Sequence, residues 1–486
     1  MPEGAAGARR SLGVPLGVVL ALGVYLLLAR SADSLSGAGA AVAAIGVLMA
    51  TLWITESMPL PATSLLPLVL FPLAGVGGVS ETAAPYAHPL IFLFMGGFML
   101  ALAIESSGLH RRVALAILRR SGTAPDRLVL GFMLVTALLS MWISNTATTI
   151  MMLPIALSVL RLLGDGSHTP LGAGLVLGIA YAASIGGMAT IIGTPPNAFL
   201  VGFLESSYGI RIGFGRWLAV GLPLALVLLP VTWLILTRWI FPAVRESGAG
   251  ARALLEREAD ALGPMSTHER RVGIVFGATA LAWMLREPIT SLGWVAQHAP
   301  ALTRLTDAGV AMSAAVVLFA LPAGGASGRR MLGWEEAARL PWGVLLLFGG
   351  GLSLARAVRE SGLDEWLGAP VAGLGDVPLV VVLLVVVALI VFLTELTSNT
   401  ATCATFLPVL AAAAVALDRE PLLLVVPAAL AASCAFMMPV ATPPNAIVFG
   451  SGHVEMRQMV RAGVWLNLVA ILVLVLVGVL LVPAVL

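Results

Sequence analysis

Ser144-Asn145-Thr146-Ala147-Thr148 sits inside a long apolar stretch, and the same five residues return 254 positions later as Ser398-Asn399-Thr400-Ala401-Thr402. Each copy is followed further along by Thr-Pro-Pro-Asn, at Thr194 to Asn197 and at Thr442 to Asn445. Polar side chains are costly to bury in a membrane segment and by default mark function there. Two copies at matched places point to one site built from two related halves.

Composition sets the class. Of the 486 residues, 59% are hydrophobic and 11% charged, against about 25% charged in an average soluble domain. Mean hydropathy is +1.01. Apolar stretches able to cross a hydrocarbon core of about 30 Å recur along the whole length. The chain therefore reads as an all-α polytopic membrane protein without a sizeable soluble domain. Its longest polar stretch, Arg238 to Arg271, reads as a loop with a surface helix. There is no lysine; all 27 basic residues are arginine. The two cysteines, Cys403 and Cys434, lie in apolar segments and read as small packing residues. For the start, Met1 to Arg30, a first membrane span competes with a cleaved signal peptide; no clear small-residue cleavage site follows the run, which favours the span.

Spans are expected near 12–30, 38–56, 59–78, 88–107, 172–205, 217–238, 271–288, 302–322, 342–359, 421–449 and 460–484. The stretches 126–163 and 377–417 each hold an apolar arm, a Ser-Asn-Thr break and a second arm. They read as re-entrant hairpins, because broken backbone at membrane depth is tolerated only inside protein or beside a water-filled cavity. With the N-terminus in the cytoplasm, this layout puts 19 of the 27 arginines inside and 8 outside. That is the positive-inside bias, which a full crossing at either hairpin would spoil.

The repeat is wider than its motifs. Phe94-Met95-Gly96-Gly97 matches Phe348-Gly349-Gly350-Gly351, Ser107-Gly108-Leu109 matches Ser361-Gly362-Leu363, and Pro154 matches Pro408, all at the offset of 254. After the hairpins the offset is 248, since the linker Gly164 to Pro170 is longer than its counterpart Asp418 to Glu420. Five full spans separate the hairpins, an odd number, so the second copy is inverted. Inverted repeats with broken helices are a transporter architecture. His110 to Arg120, with five basic residues among Val113, Leu115, Ile117 and Leu118, reads as a helix in the cytoplasmic interface or as a plain basic loop.

Ser-Asn-Thr supplies hydroxyls and an amide but no fixed charge. If each second arm begins at its break, its free N–H groups can accept an anion. Unwound carbonyls suit a small cation. The paired prolines of Thr-Pro-Pro-Asn stop a helix and free the carbonyls of Gly193 and Ala441; a plain kink is the other reading. Pro154 and Pro408 are expected to kink the second arms. With no arginine or histidine in either motif, a dianion needs bound cations as countercharge. Glu395 reads as a proton or cation site, or as a structural acceptor for hairpin donors, the second being favoured. His88 reads as a structural residue at a span start.

These residues, with Glu56-Ser57-Met58-Pro59-Leu60-Pro61 and Met95-Gly96-Gly97-Phe98-Met99-Leu100-Ala101, resemble the divalent anion/sodium symporters (DASS), a family that includes bacterial dicarboxylate transporters. The resemblance covers nearly the whole chain. It implies eleven transmembrane helices plus two re-entrant hairpins, a homodimer and elevator-type alternating access. Scaffold parts are expected at 1–120 and 241–370, and transport parts at 121–240 and 371–486, with the first hairpin on the cytoplasmic side and the second on the outer side. It implies a first sodium site at Ser140, Ser144, Asn145 and Gly193, and a second at Thr394, Thr397, Ser398, Asn399 and Ala441. Thr397 departs from the small apolar residue expected there, a change a backbone carbonyl ligand would survive. Substrate would meet Ser144, Asn145, Thr146, Ser398, Asn399 and Thr400, with Pro195 and Pro443 nearby.

The expected function is sodium-coupled symport of dicarboxylates such as succinate, malate or fumarate across the inner (plasma) membrane, with the N-terminus cytoplasmic and the C-terminus outside. An exchanger, or a carrier of sulfate or a tricarboxylate such as citrate, shares the same scaffold. An enzyme is not expected: there is no His-Glu-x-x-His or Gly-x-Ser-x-Gly, and the Ser-Asn-Thr serines have no nearby base. A passive channel fits poorly with hairpins closing from both faces, and no nucleic-acid partner is expected.

Overall fold

The computed structural model describes residues 3–30, 35–122, 124–163, 169–242, 249–324, 328–370, 373 and 377–486. Most of the longer first-copy linker, 164–168, and Arg245 of the polar stretch lie outside them. Among the described residues the chain is all helix, with no strand. Among the described residues, nine helices are long and apolar enough to cross a membrane, and four apolar helices are shorter.

The first region holds α1 (Glu3–Arg30), α2 (Gly37–Thr55), the short α3 (Leu60–Thr63), α4 (Leu66–Leu73) and α5 (Val79–Ala83), and α6 (Pro89–Ser107). The expected span 59–78 is thus not one helix. Pro61, Pro67 and Pro72 remove backbone donors, and Gly75 and Gly77 turn with positive φ, so the segment breaks into short pieces. His88 caps α6, its Nδ1 accepting from Leu90 N at 3.4 Å. The basic stretch is a helix, α7 (Leu109–Ser121), burying Ala114, Leu115 and Leu118 on one face.

The first hairpin stretch comprises α8 (Pro125–Ser140) and α9 (Asn145–Leu162). The expected span 172–205 is two helices, α10 (Pro170–Met188) and α11 (Pro195–Tyr208), followed by α12 (Phe214–Leu234). The polar stretch does contain a surface helix, α13 (Ala249–Ala261), which packs on α7 and α9. Next come α14 (Thr267–Thr290), α15 (Gly293–His298), α16 (Pro300–Thr303), α17 (Asp307–Ala320), α18 (Trp334–Ala337), α19 (Trp342–Glu360) and α20 (Leu363–Gly368).

The second hairpin stretch is α21 (Leu379–Thr394) and α22 (Asn399–Ala416). The expected span 421–449 is again two helices, α23 (Pro421–Ala431) and α24 (Pro443–Gly450), before α25 (Met456–Leu476) and α26 (Val482–Val485). Pro154 and Pro408 interrupt neither second arm; α9 and α22 run helical through them.

The repeat holds to the residue. α8 and α21 have 16 residues each and α9 and α22 have 18 each, all at the offset of 254. It also reaches further than the sequence revealed. α12 and α25 are both 21 residues long, 242 positions apart, and each ends in a π-helical turn, Ile235–Ile240 and Val477–Leu481. The identities at this offset, Gly221 with Gly463 and five scattered Leu and Val pairs, are residue types too common in apolar helices to have exposed it.

α10 is the centre of the packing, with every residue from Gly172 to Met188 buried. Small residues permit this. A Cβ at Gly221 of α12 would stand 2.6 Å from the Met188 carbonyl oxygen, so only glycine lets these backbones meet. At the polar edge, Arg112 of α7 ties down the start of α14. Its Nε lies 2.7 Å from Glu269 Oε1, and its Nη atoms donate to the carbonyls of Leu262, Gly263 and Pro264. Glu269 is 5% exposed, so this fork is sheltered from solvent. Arg112→Ala should lower stability by about 1–3 kcal/mol, the worth of hydrogen bonds to a charged group. The check is a reduced thermal midpoint in detergent; Arg112→Lys, lacking the fork, should recover only part of it.

Candidate functional site

The helix arms end where their sequence forces them to. After Ser140, residues 141–144 leave the helix, and Ser144 starts α9 as an extended cap whose Oγ accepts from Ala147 N at 3.2 Å. After Thr394, residues 395–398 do the same and Ser398 precedes α22, without a side-chain cap bond. Thr194 and Thr442 are extended caps of α11 and α24, whose first residues are the prolines Pro195 and Pro443. Proline at the first helical position has no donor to lose, so Thr-Pro-Pro-Asn opens a new helix as much as it stops an old one. Neither Gly193 nor Ala441 has a hydrogen bond onto its carbonyl among the described residues.

The two copies are interlocked. α9, the second arm of the first hairpin stretch, packs on α24 of the second copy, and α22 packs on α11 of the first. α10 also packs on α24, and α11 on α23. The helix breaks touch: Met188 Sδ lies 3.8 Å from Cys434 Sγ, and Tyr181 Oη donates to Phe436 O at 2.8 Å. The helices that carry the expected site segments therefore pack on one another across the two copies.

Exposure divides the expected residues into two groups. Ser144 is exposed, while Asn145, Thr146, Ser398, Asn399, Thr400 and Pro195 are partly exposed and Pro443 is exposed. Ser140, Gly193, Thr394, Thr397 and Ala441 are buried. The residues expected to meet substrate thus keep some exposed surface, and those expected only at the cations do not.

The buried groups are rich in oxygen and short of protons. Ser140 Oγ is 2.6 Å from Asn145 Oδ1 and 2.7 Å from Ala183 O. Thr394 Oγ1 repeats this, 2.8 Å from Asn399 Oδ1 and 2.8 Å from Ala432 O. A hydroxyl carries one proton, so each cluster has a surplus of lone pairs. Neutral oxygens with free carbonyls nearby fit a hard monovalent cation. Thr397 Oγ1 is occupied by Thr402 Oγ1 at 2.7 Å and Leu393 O at 2.9 Å, which leaves its carbonyl as the part able to serve a ligand. Among the described residues no group of three or more His, Cys, Asp or Glu could hold a metal ion.

Asn197 and Asn445 close the two Thr-Pro-Pro-Asn motifs, and the motif alone does not say what they do. Each seals its own break. Asn197 Nδ2 donates to Gly187 O, Met188 O and Thr190 O at 3.2, 3.3 and 2.8 Å. Asn445 Nδ2 donates to Ala435 O and Met438 O, both at 3.0 Å. Asn467, a lone amide in an apolar run, was also overlooked; its polarity was the available signal. Glu395 is a structural acceptor, but its donors are not the hairpin's. They are Phe436 N, Met437 N and Met438 N of the second break, and Asn467 Nδ2 of α25.

The sequence model described as "Sodium:sulfate symporter transmembrane region" matches residues 11–485. The sodium-dependent dicarboxylate transporter SdcS of Staphylococcus saprophyticus is 43% identical, over 98% of this chain and 93% of that protein. Its namesake in Staphylococcus aureus strain USA300 is 42% identical, over 98% and 92%. Among solved structures, the Alcanivorax borkumensis YdaH transporter superposes with a TM-score of 0.57 at 19% identity, over 82% of this chain and 87% of that one. Neisseria gonorrhoeae MtrF gives 0.58 at 11%, over 82% and 83%. At such identities these two speak for the fold alone.

A Cβ at Gly187 would lie 2.6 Å from Asn145 Oδ1, an atom already held by Ser140. Gly187→Ala should therefore displace the Asn145 amide while the fold survives. Binding of ligand to purified protein should weaken by about tenfold, the loss of roughly one good polar contact; unchanged affinity would show the amide is not placed by this contact.

Proposed function

We propose that this chain, which belongs to the sodium:sulfate symporter family, is a secondary active transporter coupling sodium entry to the uptake of C4-dicarboxylates such as succinate. The carrying observation is the pair of matched, proton-poor oxygen clusters behind two partly exposed Ser-Asn-Thr segments that pack crosswise. The identity to relatives named sodium-dependent dicarboxylate transporters supports the substrate class.

In this reading Ser140, Ser144, Asn145 and Gly193 hold one sodium ion, and Thr394, Thr397, Ser398, Asn399 and Ala441 hold a second. Their charge offsets that of the substrate, whose carboxylates meet the hydroxyls and amides of Ser144, Asn145, Thr146, Ser398, Asn399 and Thr400 beside Pro195 and Pro443. A dianion arriving without cations faces only neutral dipoles, which is the physical origin of coupling.

The hairpin stretches and the broken helices after them, within 121–240 and 371–486, move as one body against a scaffold of 1–120 and 241–370. The interlocking supports this division, since every site segment packs on another site segment. Placement in the inner membrane with a cytoplasmic N-terminus, re-entrant hairpins from opposite faces, and assembly as a homodimer through the scaffold belong to the same proposal.

Reconstituted in liposomes, the protein should accumulate labelled succinate under an inward sodium gradient. Sodium-independent counterflow alone would mark an exchanger, and competition by sulfate or citrate would redirect the substrate assignment. Asn145→Ala and Asn399→Ala should each abolish uptake; full activity in either variant contradicts a shared site.

A further inference from the structure

The two copies differ at one position that matters for their breaks. Where the second has Glu395, the first has Met141 at the offset of 254. In the first copy the link from hairpin to break is one neutral bond, Thr190 Oγ1 to Met141 O at 2.5 Å. In the second, Glu395 Oε1 accepts from Phe436 N at 2.8 Å, Met437 N at 2.9 Å and Asn467 Nδ2 at 2.7 Å, and Oε2 accepts from Met438 N at 3.0 Å. The carboxylate is 3% exposed and Asn467 fully buried.

The reason for the difference lies in the lengths of the helices. α10 stays helical to Met188, so its last donors are satisfied within the helix, as Ala189 N is by Gly186 O at 3.0 Å. α23 stops at Ala431, leaving residues 432–442 outside any helix. Buried N–H groups of such a segment need acceptors. Glu395 supplies them for 436–438, while Asn445 takes the carbonyls of Ala435 and Met438. Gly463 of α25 lets the break lie close, since a Cβ there would stand 2.5 Å from Met437 N.

The structure assigns Glu395 a role as positioning residue for the second cation cluster. It is the residue after Thr394, whose hydroxyl is in that cluster, and it grips the segment leading to Ala441. One carboxylate thus fixes the separation between the two sides of the second site before any ion arrives, and brings a negative charge to that neighbourhood. The first cluster has no such brace. The second site is consequently clamped across its two sides by three bonds from a carboxylate where the first has one neutral bond. This rests on the sodium-coupled reading above but not on the identity of the anion.

The test uses sodium alone as probe. The thermal midpoint of the purified full-length protein is followed against sodium concentration, with choline holding ionic strength constant, for wild type, Glu395→Gln and Asn467→Ala. A bound ion raises the midpoint by mass action. Glu395→Gln should move the half-saturating sodium concentration upward about tenfold, as expected for a lost charge-assisted hydrogen bond. Asn467→Ala, which spares the three backbone donors, should move it the same way by about threefold. A merely structural role lowers the midpoint equally at every sodium concentration, and an unshifted titration in both variants overturns the proposal. If Glu395→Gln cannot be purified folded, Asn467→Ala decides alone. A wild type indifferent to sodium removes the coupled reading and this inference together. One that sodium stabilises but that fails to accumulate succinate removes only the substrate assignment.

Discussion

Backbone amides at membrane depth have no water to turn to, and every feature of the site follows from how they are satisfied. Breaking a helix exposes carbonyls that can hold an ion, but each exposed group that holds nothing is a cost. The protein sorts the two cases. Asn197 takes the carbonyls of Gly187, Met188 and Thr190 and Asn445 those of Ala435 and Met438, while those of Gly193 and Ala441 stay unengaged. The asparagine of Thr-Pro-Pro-Asn is thus a local seal, and the prolines beside it start the next helix without spending a donor.

Duplication explains the matched halves, and divergence explains why they are not equal. The first copy uses glycines, Gly186, Gly187 and Gly193, where the second has Cys434, Ala435 and Ala441. In the first, close backbone contact keeps the broken helix compact; in the second, side chains have grown in and the unwound segment is longer. A carboxylate then became tolerable at Glu395 because four donors surround it.

Much of this was legible in the chain. The doubled Ser-Asn-Thr located both arm breaks; the offset of 254 aligned the hairpin helices end to end, and that of 248 aligned the starts of α11 and α24. Within the expected site, Ser140, Gly193, Thr394, Thr397 and Ala441 are buried and the Ser-Asn-Thr residues are not, a division the sequence did not announce. What the sequence could not say was which copy leans on which, since an offset reports equivalence and not adjacency. The partners of Glu395 were equally silent, because three of its four donors are main-chain N–H groups without a side-chain signature. The segment 59–78 is apolar enough to cross, but its prolines divide it into short helices, which hydropathy alone does not show.

Interlocking also sets a timetable for biosynthesis. α9 finds its neighbour α24 only after Pro443 to Gly450 has been made, nearly three hundred positions further along the chain. At roughly 5–20 residues per second, the ribosome needs on the order of 15–60 s to close that gap. Throughout it α9 waits without that neighbour. The nascent first half must therefore be stable enough to persist yet open enough to receive the second. The face of α10 that carries Tyr181 and Met188, which later meets Phe436 and Cys434, is a surface the insertion machinery has to shelter.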